Sequence, residues 1–427
     1  MDNEGKINVL IFPCESNSNE LHDALSYCYN VNVYGASSVA RHGKYIYSNY
    51  YSKLPKITDP GFIDNLNEYL DAHGIDVIIT THDTVAQFLA EHKEFIHARP
   101  IQPDVFTNTV CRSKIATHEL FKDCTFSPIR YLSADVATYP VFVKPDIGEG
   151  ARGATKVSYA IDLERISFNN NLVCEYLPGK EYTVDCFTDK NGNLAYVSPR
   201  TRDRIWGGIS VAGHTCDLTE EISCIAETIN SRLHFLGLWY FQLKEDTAGR
   251  LKLLEISTRC AGTMCLTRAK GVNLPLLSVY AAMGYDVLVN DNGLPVKMDR
   301  ALIGRYSYDI DYSDVYIDFD DTITLRGKIN TLAVFFLYQC HNKGINVHLL
   351  TRHIYNIHES LKEYALSENL FCEIVDVQGD ALKSSYINVE TSIFIDNMFK
   401  ERLDVRTKLG LPVFDSDAFE FLLDWRV

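Results

Sequence analysis

No stretch of this chain approaches the ~20 apolar residues that a bilayer-spanning helix requires, so no membrane association is expected. Basic residues are in deficit: Lys and Arg total 41 against 56 Asp and Glu, a net charge of −15. Without a basic surplus to displace counterions, general affinity for nucleic acid or an anionic membrane is not expected, although a local basic pocket remains compatible. The twelve cysteines include no CxxC pair. That spacing speaks against a zinc or dithiol centre and for reduced thiols that mostly pack. The first residues, MDNEGKINVLIFPCESN, begin acidic and hold only a short apolar run. A secretory signal is therefore not expected, and the cytoplasm is the expected compartment. Internal repeats and low-complexity tracts are absent too.

What is present is a long mixed chain. Its 427 residues exceed one ordinary domain, so two to four domains are expected. Residues 1–108 alternate apolar runs with amphipathic stretches. Ile7–Phe12, Val31–Tyr34 and Asp76–Thr81 read as strands, and Glu20–Tyr29, Phe62–Ala72 and Asp83–His92 as helices. This is the pattern of a small doubly wound α/β unit, with Pro13–Asn17 and Thr81-His82-Asp83 as ligand-facing loops or plain helix caps. No GxGxxG follows the first strand, which weighs against a dinucleotide site.

Residues 141–185 carry the densest chemistry. A strand Val141–Val143 ends in Lys144-Pro145, and the glycine-bearing loop Gly148-Glu149-Gly150-Ala151-Arg152-Gly153 follows. Glycines let backbone N–H groups close on phosphate oxygens, and Lys144 and Arg152 supply positive charge for a polyphosphate. Glu175, at the end of the next strand, can accept from an adenine amino group, and Glu181 can hold ribose hydroxyls. A glycine loop alone is an ordinary hairpin feature. Lysine, loop, Glu175 and Glu181 in this order are harder to obtain by accident.

Further along, Arg200, Arg202 and Arg204 alternate, so one extended strand would put all three on one face. They read either as an anion clamp or as a solvated strand face. A hairpin follows over 237–244 and 251–259, carrying Gln242, Glu255 and Ser257. Oxygen ligands beside a polyphosphate suit Mg²⁺, and Arg259 can brace a transferring phosphoryl group. One more short strand is expected at Leu302-Ile303.

From Lys144 to about residue 284 this order resembles the ATP-grasp superfamily, of the carbamoyl-phosphate synthetase large-subunit and biotin carboxylase type. The resemblance implies an ATP-grasp domain over 109–307 behind a pre-ATP-grasp domain over 1–108. It implies ATP held by Lys144, Gly150, Arg152 and Gly153 on the phosphate side and by Glu175, Tyr176, Leu177 and Glu181 on the nucleoside side. Lys114, in a helix expected from Cys111 through Leu120, is a further phosphate contact or a solvated charge. Arg200, Arg202 and Arg204 would bind substrate. Gln242, Glu255 and Ser257 would hold one or two Mg²⁺. The family's usual Asn stands here as Ser257, a shorter ligand, which puts the second Mg²⁺ in question.

A second signal begins at Val315-Tyr316-Ile317, a strand running into Asp318-Phe319-Asp320-Asp321-Thr322. Aspartates at a strand end are also common helix caps. Yet Val347–Leu350 ends in Thr351, Lys383 follows, and Ser392–Ile395 ends in Asp396. This order resembles the haloacid dehalogenase (HAD) phosphatase superfamily. It implies Asp318 as nucleophile, Asp320 as acid and base, Thr351 and Lys383 as phosphoryl contacts, and one Mg²⁺ on Asp318, Asp320 and Asp396. Lys400 is the rival to Lys383, and Asn397 departs from the second acid many members carry. Neither 322–351 nor 351–396 is long enough for a sizeable cap, so a capless Rossmann-like domain is expected over 308–427.

The expectation is therefore an α/β and α+β multidomain enzyme. It would be an ATP-dependent carboxylate–amine ligase joined to a phosphomonoesterase, acting on a small-molecule carboxylate, an amine and a phosphate ester, and compatible with a homodimer. An inert HAD module and a non-catalytic ATP-binding regulatory protein are the competing readings.

Overall fold

The computed structural model describes residues 5–14, 18–135, 138–148, 150, 152–308 and 310–426. Glu15–Asn17, Glu149 and Ala151 of the loops named above lie outside them. The chain divides into two compact units, Met1–Leu302 and Ile303–Arg426. Among the described residues, no helix is long and apolar enough to cross a membrane.

The first unit opens on a five-stranded sheet of β1 (Ile7–Phe12), β2 (Val31–Ala36), β3 (Asn49–Tyr51), β4 (Val77–Thr80) and β5 (Arg99–Pro100), in the order β3-β2-β1-β4-β5. Every neighbouring pair is parallel. A parallel sheet is covered on both faces, which is why β1 and β4 are nearly continuous apolar runs. Val9 and Ile11 face one core, Leu10 and Phe12 another. The first of these cores also takes in Leu274, Val279 and Ala281, so the helix Leu274–Ala282 closes back on this sheet from far along the chain.

Three antiparallel sheets follow. β6 (Arg130–Tyr131), β7 (Val141–Pro145), β8 (Thr155–Val157) and β9 (Asn171–Glu175) pair in the order β6-β9-β7-β8. The main sheet has the order β11-β10-β14-β15, from β10 (Glu181–Thr188), β11 (Leu194–Thr201), β14 (Gly237–Glu245) and β15 (Leu251–Ser257). A smaller one joins β12 (Arg204–Trp206), β13 (Ile209–His214) and β16 (Lys297–Asp299). The main sheet buries one face against the helix Glu220–Arg232, whose Ile222, Ile225, Ala226 and Ile229 meet Val184, Cys186 and Phe241. Its other face carries polar residues, as period-two alternation in Glu181-Tyr182-Thr183-Val184-Asp185-Cys186 requires.

Several sequence expectations are corrected here. The helix expected from Cys111 is two helices, Val105–Arg112 and Lys114–Phe121. Ser113 breaks the run because its side chain caps the second helix at Ala116 N. The first helix is Ser18–Leu25, shorter than expected, because Tyr27 and Tyr29 are exposed and belong to the turn before β2. No strand forms at Leu302-Ile303; both residues are exposed, and the strand is β16, a few residues earlier. The three alternating arginines do not share a strand. β11 ends at Thr201 and Arg204 begins β12 in a different sheet.

The second unit has its own five-stranded parallel sheet of β17 (Asp314–Ile317), β20 (Asn346–Thr351), β21 (Glu373–Asp376), β22 (Ser392–Ile395) and β23 (Val413–Phe414), in the order β21-β20-β17-β22-β23. A short hairpin, β18 (Thr324–Leu325) and β19 (Lys328–Ile329), and the helix Thr331–Lys343 fill the connection from β17 to β20. Val315 and Ile317 face one core with Phe336 and Phe419, while Tyr316 and Phe394 face another with Val405. Ile317 lies level with Leu349 and Ile395, which puts Asp318, Leu350 and Asp396 at one edge of the sheet.

Candidate active sites

The first site is laid out in rows across the polar face of the main sheet. Thr183 pairs in register with Arg200 on one side and Gln242 on the other, and Gln242 pairs with Glu255. Arg200, Thr183, Gln242 and Glu255 therefore form one cross-strand row. The next row on the same face is Ser198, Asp185, Tyr240 and Ser257. Beyond the first row, Glu181 binds Arg202 (Nε–Oε1, 2.9 Å) and Lys244 (Nζ–Oε2, 3.2 Å).

One cavity lies over these rows. It is lined on the charged side by Lys114, Lys144, Gly148, Gly150, Arg152, Gln242 and Glu255, and on the other by Phe142, Glu175, Tyr176, Leu177, Glu181 and Leu254. The ATP-contact residues expected from the sequence thus converge here, except Gly153, which is not among the lining residues. Gly153 has φ +73° and closes on Pro145, where a Cβ would lie 2.9 Å from the ring. Lys114 Nζ donates to Gly148 O (3.1 Å), tying the second helix start to the glycine loop. Asp146 fixes the same junction by accepting from Ser113 Oγ and Ile115 N. Burial pushes the Lys114 ammonium down from its ordinary range; Glu255 pulls it up while Lys144 and Arg112 push it further down. A site already holding several cations favours an anionic guest. Glu175 Oε1 accepts from Ile129 N (2.9 Å).

A second cavity adjoins the first and shares Gly150, Arg152, Arg202, Gly208, Gln242 and Glu255 with it. Arg200, Arg259, Thr183 and Thr263 also line it. Gly150 and Gly208 meet so closely that a Cβ on Gly208 would lie 2.3 Å from Gly150 O. The arginines have separate fates. Arg200 is buried and makes a paired contact with buried Asp185 (3.1 and 2.7 Å), which Thr267 also binds. Its Nη1 is buried with no hydrogen-bond partner among the described residues. Arg202 is tied to Glu181 and to Gly208 O. Arg204 is exposed, pairs with Asp299 and lines neither cavity. A three-arginine clamp is therefore not formed, because the strand break turns Arg204 away.

Ser257 and Arg259 are braced by a residue the sequence reading placed at a loop and helix start without a partner. Asp83 accepts from Ser257 Oγ (2.7 Å) and Arg259 Nε (2.9 Å). Burial works against Asp83's charge, but Arg259 and Ser257 outweigh it and hold the carboxyl below its ordinary range. Asp83 comes from the parallel-sheet region, and its spacing from Arg259 could not signal the pair. Asp185 was detectable in principle, as the third polar residue alternating along β10. Among the described residues, no group of three or more His, Cys, Asp or Glu side chains is arranged to hold a metal. Gln242 and Glu255 still offer two oxygen donors side by side, a set that suits a cation completing its shell with phosphate oxygens and water.

The second site sits at the edge of the second unit's sheet. Lys383 Nζ donates to Asp318 Oδ1 and to Asp396 Oδ2, each at 2.6 Å, with all three side chains buried. Lys383, and not Lys400, makes this contact. Thr351 is buried, its hydroxyl without a hydrogen-bond partner among the described residues. Burial raises the Asp318 carboxyl overall, and Lys383 works against that rise. Burial first, and Asp318 second, push Asp396 up to about 6. Asn397 Oδ1 is buried without a hydrogen-bond partner among the described residues. Two buried carboxylates sharing one ammonium and a spare amide oxygen fit a divalent cation. Asp320 pairs instead with His353 Nδ1 (2.8 Å), whose Nε2 meets Ser360 Oγ (2.7 Å), and it takes no part in the Lys383 bridge. The sequence reading missed His353 and Glu401. Glu401 accepts from Lys383 N (3.1 Å) and from Arg352 Nε (3.2 Å), fixing the Lys383 turn.

A family model described as "ATP-grasp in the biosynthetic pathway with Ter operon" matches residues 167–299. No curated protein matches the chain. Among solved structures, it is similar to the biotin carboxylase domain of Hydrogenobacter thermophilus 2-oxoglutarate carboxylase, in complex with MgADP, ADP and bicarbonate. That match has 16% identity, covers 66% of this chain and 70% of the other, and has a TM-score of 0.55. Staphylococcus aureus N5-carboxyaminoimidazole synthetase complexed with ADP matches at 14% identity over 70% of this chain and 83% of that one, TM-score 0.57. A Bacillus licheniformis L-amino acid ligase matches at 17% identity over 65% and 75%, TM-score 0.51.

Proposed function

From the ATP-grasp domain that this chain carries, we propose an ATP-dependent carboxylate–amine ligase. The observation that carries this reading is the single cavity where Lys114, Lys144, Glu175, Glu181, Gln242 and Glu255 meet. ATP lies with its base toward Glu175, Tyr176 and Leu177 and its ribose toward Glu181. Lys114, Lys144 and Arg152 neutralise the phosphates under the Gly150 loop. Gln242 and Glu255 hold Mg²⁺, which screens the phosphate charge when bound. The substrate carboxylate occupies the adjoining cavity, which Arg200 and Arg259 line. Its oxygen takes the γ-phosphoryl group and ADP leaves. The amine nitrogen then attacks the acyl carbon, phosphate departs and the nitrogen loses a proton. Positioning and charge neutralisation supply the rate. Homodimerisation belongs to the same reading, as the H. thermophilus domain is a dimer. The test is ADP release from purified protein across acid–amine pairs. Amide product with stoichiometric ADP supports the reading; ATP bound without turnover on any pair supports a regulatory role instead.

A second activity is favoured by the Lys383 bridge between Asp318 and Asp396. We propose a HAD-type phosphomonoesterase. An Asp318 oxygen attacks phosphorus, the ester oxygen leaves with a proton from Asp320, and Asp320 then deprotonates the water that splits the aspartyl-phosphate. Lys383 and Thr351 hold the phosphoryl oxygens. Asp318 and Asp396 hold Mg²⁺, which adds positive charge there when bound. One chain holding both centres suggests that the ester belongs to the same biosynthetic route as the amide. Phosphate release from an ester panel, lost in Asp318→Asn, tests the activity. Equal release by that variant leaves an inert module.

A further inference from the structure

In an in-line displacement the leaving group lies opposite the nucleophile, beside the group that protonates it. The residues around Asp320 therefore bind the body of the ester. Asp320 is linked through His353 (2.8 Å) to the ring of Tyr355, whose centroid lies 5.8 Å from the imidazole. Ile354 and Tyr355 are 90% and 75% exposed. Across the site the same arrangement recurs. Arg402 donates to Asp396 O (2.6 Å), and its guanidinium lies 5.9 Å from the Phe399 ring. Met398 and Phe399 are 56% and 67% exposed, and Leu403, one helical turn on, is 53% exposed.

These residues leave β20 and β22, the two strands flanking β17. Two strand spacings separate them, roughly 10 Å. This end of the sheet is thus bordered on both sides by exposed apolar side chains, with one exposed polar residue beside each pair, Asn356 and Lys400. Among the described residues of this unit, β17 and β20 are joined by the short turn Phe319–Ile323, a hairpin and one helix. A site built for a polyol or an amino sugar would border the same edge with hydroxyl, amide and charged groups.

Resting on the phosphatase reading, we propose that the ester carries an apolar, ring-bearing leaving group, received between Ile354-Tyr355 and Met398-Phe399. The test compares 3-phenylpropyl phosphate with glycerol 3-phosphate on the full chain with Mg²⁺. Both are esters of primary alcohols, so leaving-group chemistry does not bias the ratio. The expected kcat/KM ratio favours the phenylpropyl ester by about tenfold or more, as one well-filled apolar contact supplies. In Tyr355→Ala and Phe399→Ala that ratio falls toward one, mainly through the KM of the phenylpropyl ester. A ratio at or below one, or one unmoved in both variants, overturns the proposal while leaving the phosphatase reading intact. Hydrolysis of neither ester, nor of a wider panel, overturns both.

Discussion

The two centres hold their acidic side chains in opposite ways. In the first, three acids are each matched to a guanidinium, Asp185 to Arg200, Glu181 to Arg202 and Asp83 to Arg259, while Glu175 and Glu255 line the cavity. The floor is preset by these pairs, and Lys114, Lys144 and Arg152 line the cavity that a polyanion and its cation would enter together. In the second, two buried carboxylates share one ammonium. That leaves an excess of negative charge under a phosphoryl position, and burial raises both carboxyls. A paired floor suits a large guest that brings its own metal. A shared lysine suits a small one for which the metal must already be drawn in.

The contrast breaks most easily at Lys383. Lys383→Ala or Asp318→Asn is expected to lower ester hydrolysis by about 10³-fold or more, read as phosphate release, because the proposed nucleophile or the ammonium paired with it is gone. In the first site Glu255→Gln is expected to lower ADP release by about 10²–10³-fold. Asp83→Asn should cost about 10–100-fold, since Ser257 and Arg259 keep their places but lose the brace. Pairing holds the Asp83 carboxyl below its ordinary range, so the brace contributes stability above that range and loses it as pH falls.

The difference also has a pH signature. A raised carboxyl favours its protonated form in the folded chain. Ester hydrolysis is therefore expected to fall as pH drops through about 6, the position of Asp396, instead of near 4. Saturating Mg²⁺ should move that limb to lower pH. ADP release, which does not draw on Asp396, should lack it. A rate–pH profile for each reaction checks both. Arg200→Ala strips the partner from buried Asp185 and is expected to destabilise the first unit by about 3–5 kcal/mol, measured by denaturant unfolding. The smallest effect belongs to Arg204→Ala, whose exposed pair with Asp299 is worth about 0–1 kcal/mol; ADP release should stay within about twofold.

Legibility followed the same divide. The second site is made of strand ends and the turns after them, so Asp318, Thr351 and Asp396 could be located one strand at a time. Its missed members, His353 and Glu401, lie in a loop and a helix, where no periodicity singles them out. In the first site the row Thr183, Gln242, Glu255 was readable from alternation on each strand. The alternating arginines misled because a strand break is invisible to period-two counting: Arg202 and Asp203 leave the sheet, and Arg204 re-enters another. Asp83 was harder still. Its partners lie 174 and 176 residues away, and only the closure of the parallel-sheet region on the main sheet brings them together.

The most direct measurement is a crossed assay of Lys144→Ala and Asp318→Asn on the full chain, scoring ADP release and ester hydrolysis for each. Two separate phosphoryl-handling centres predict that Lys144→Ala loses ADP release and keeps hydrolysis, while Asp318→Asn does the reverse. Both activities falling together in either variant, with the fold intact, would contradict the account.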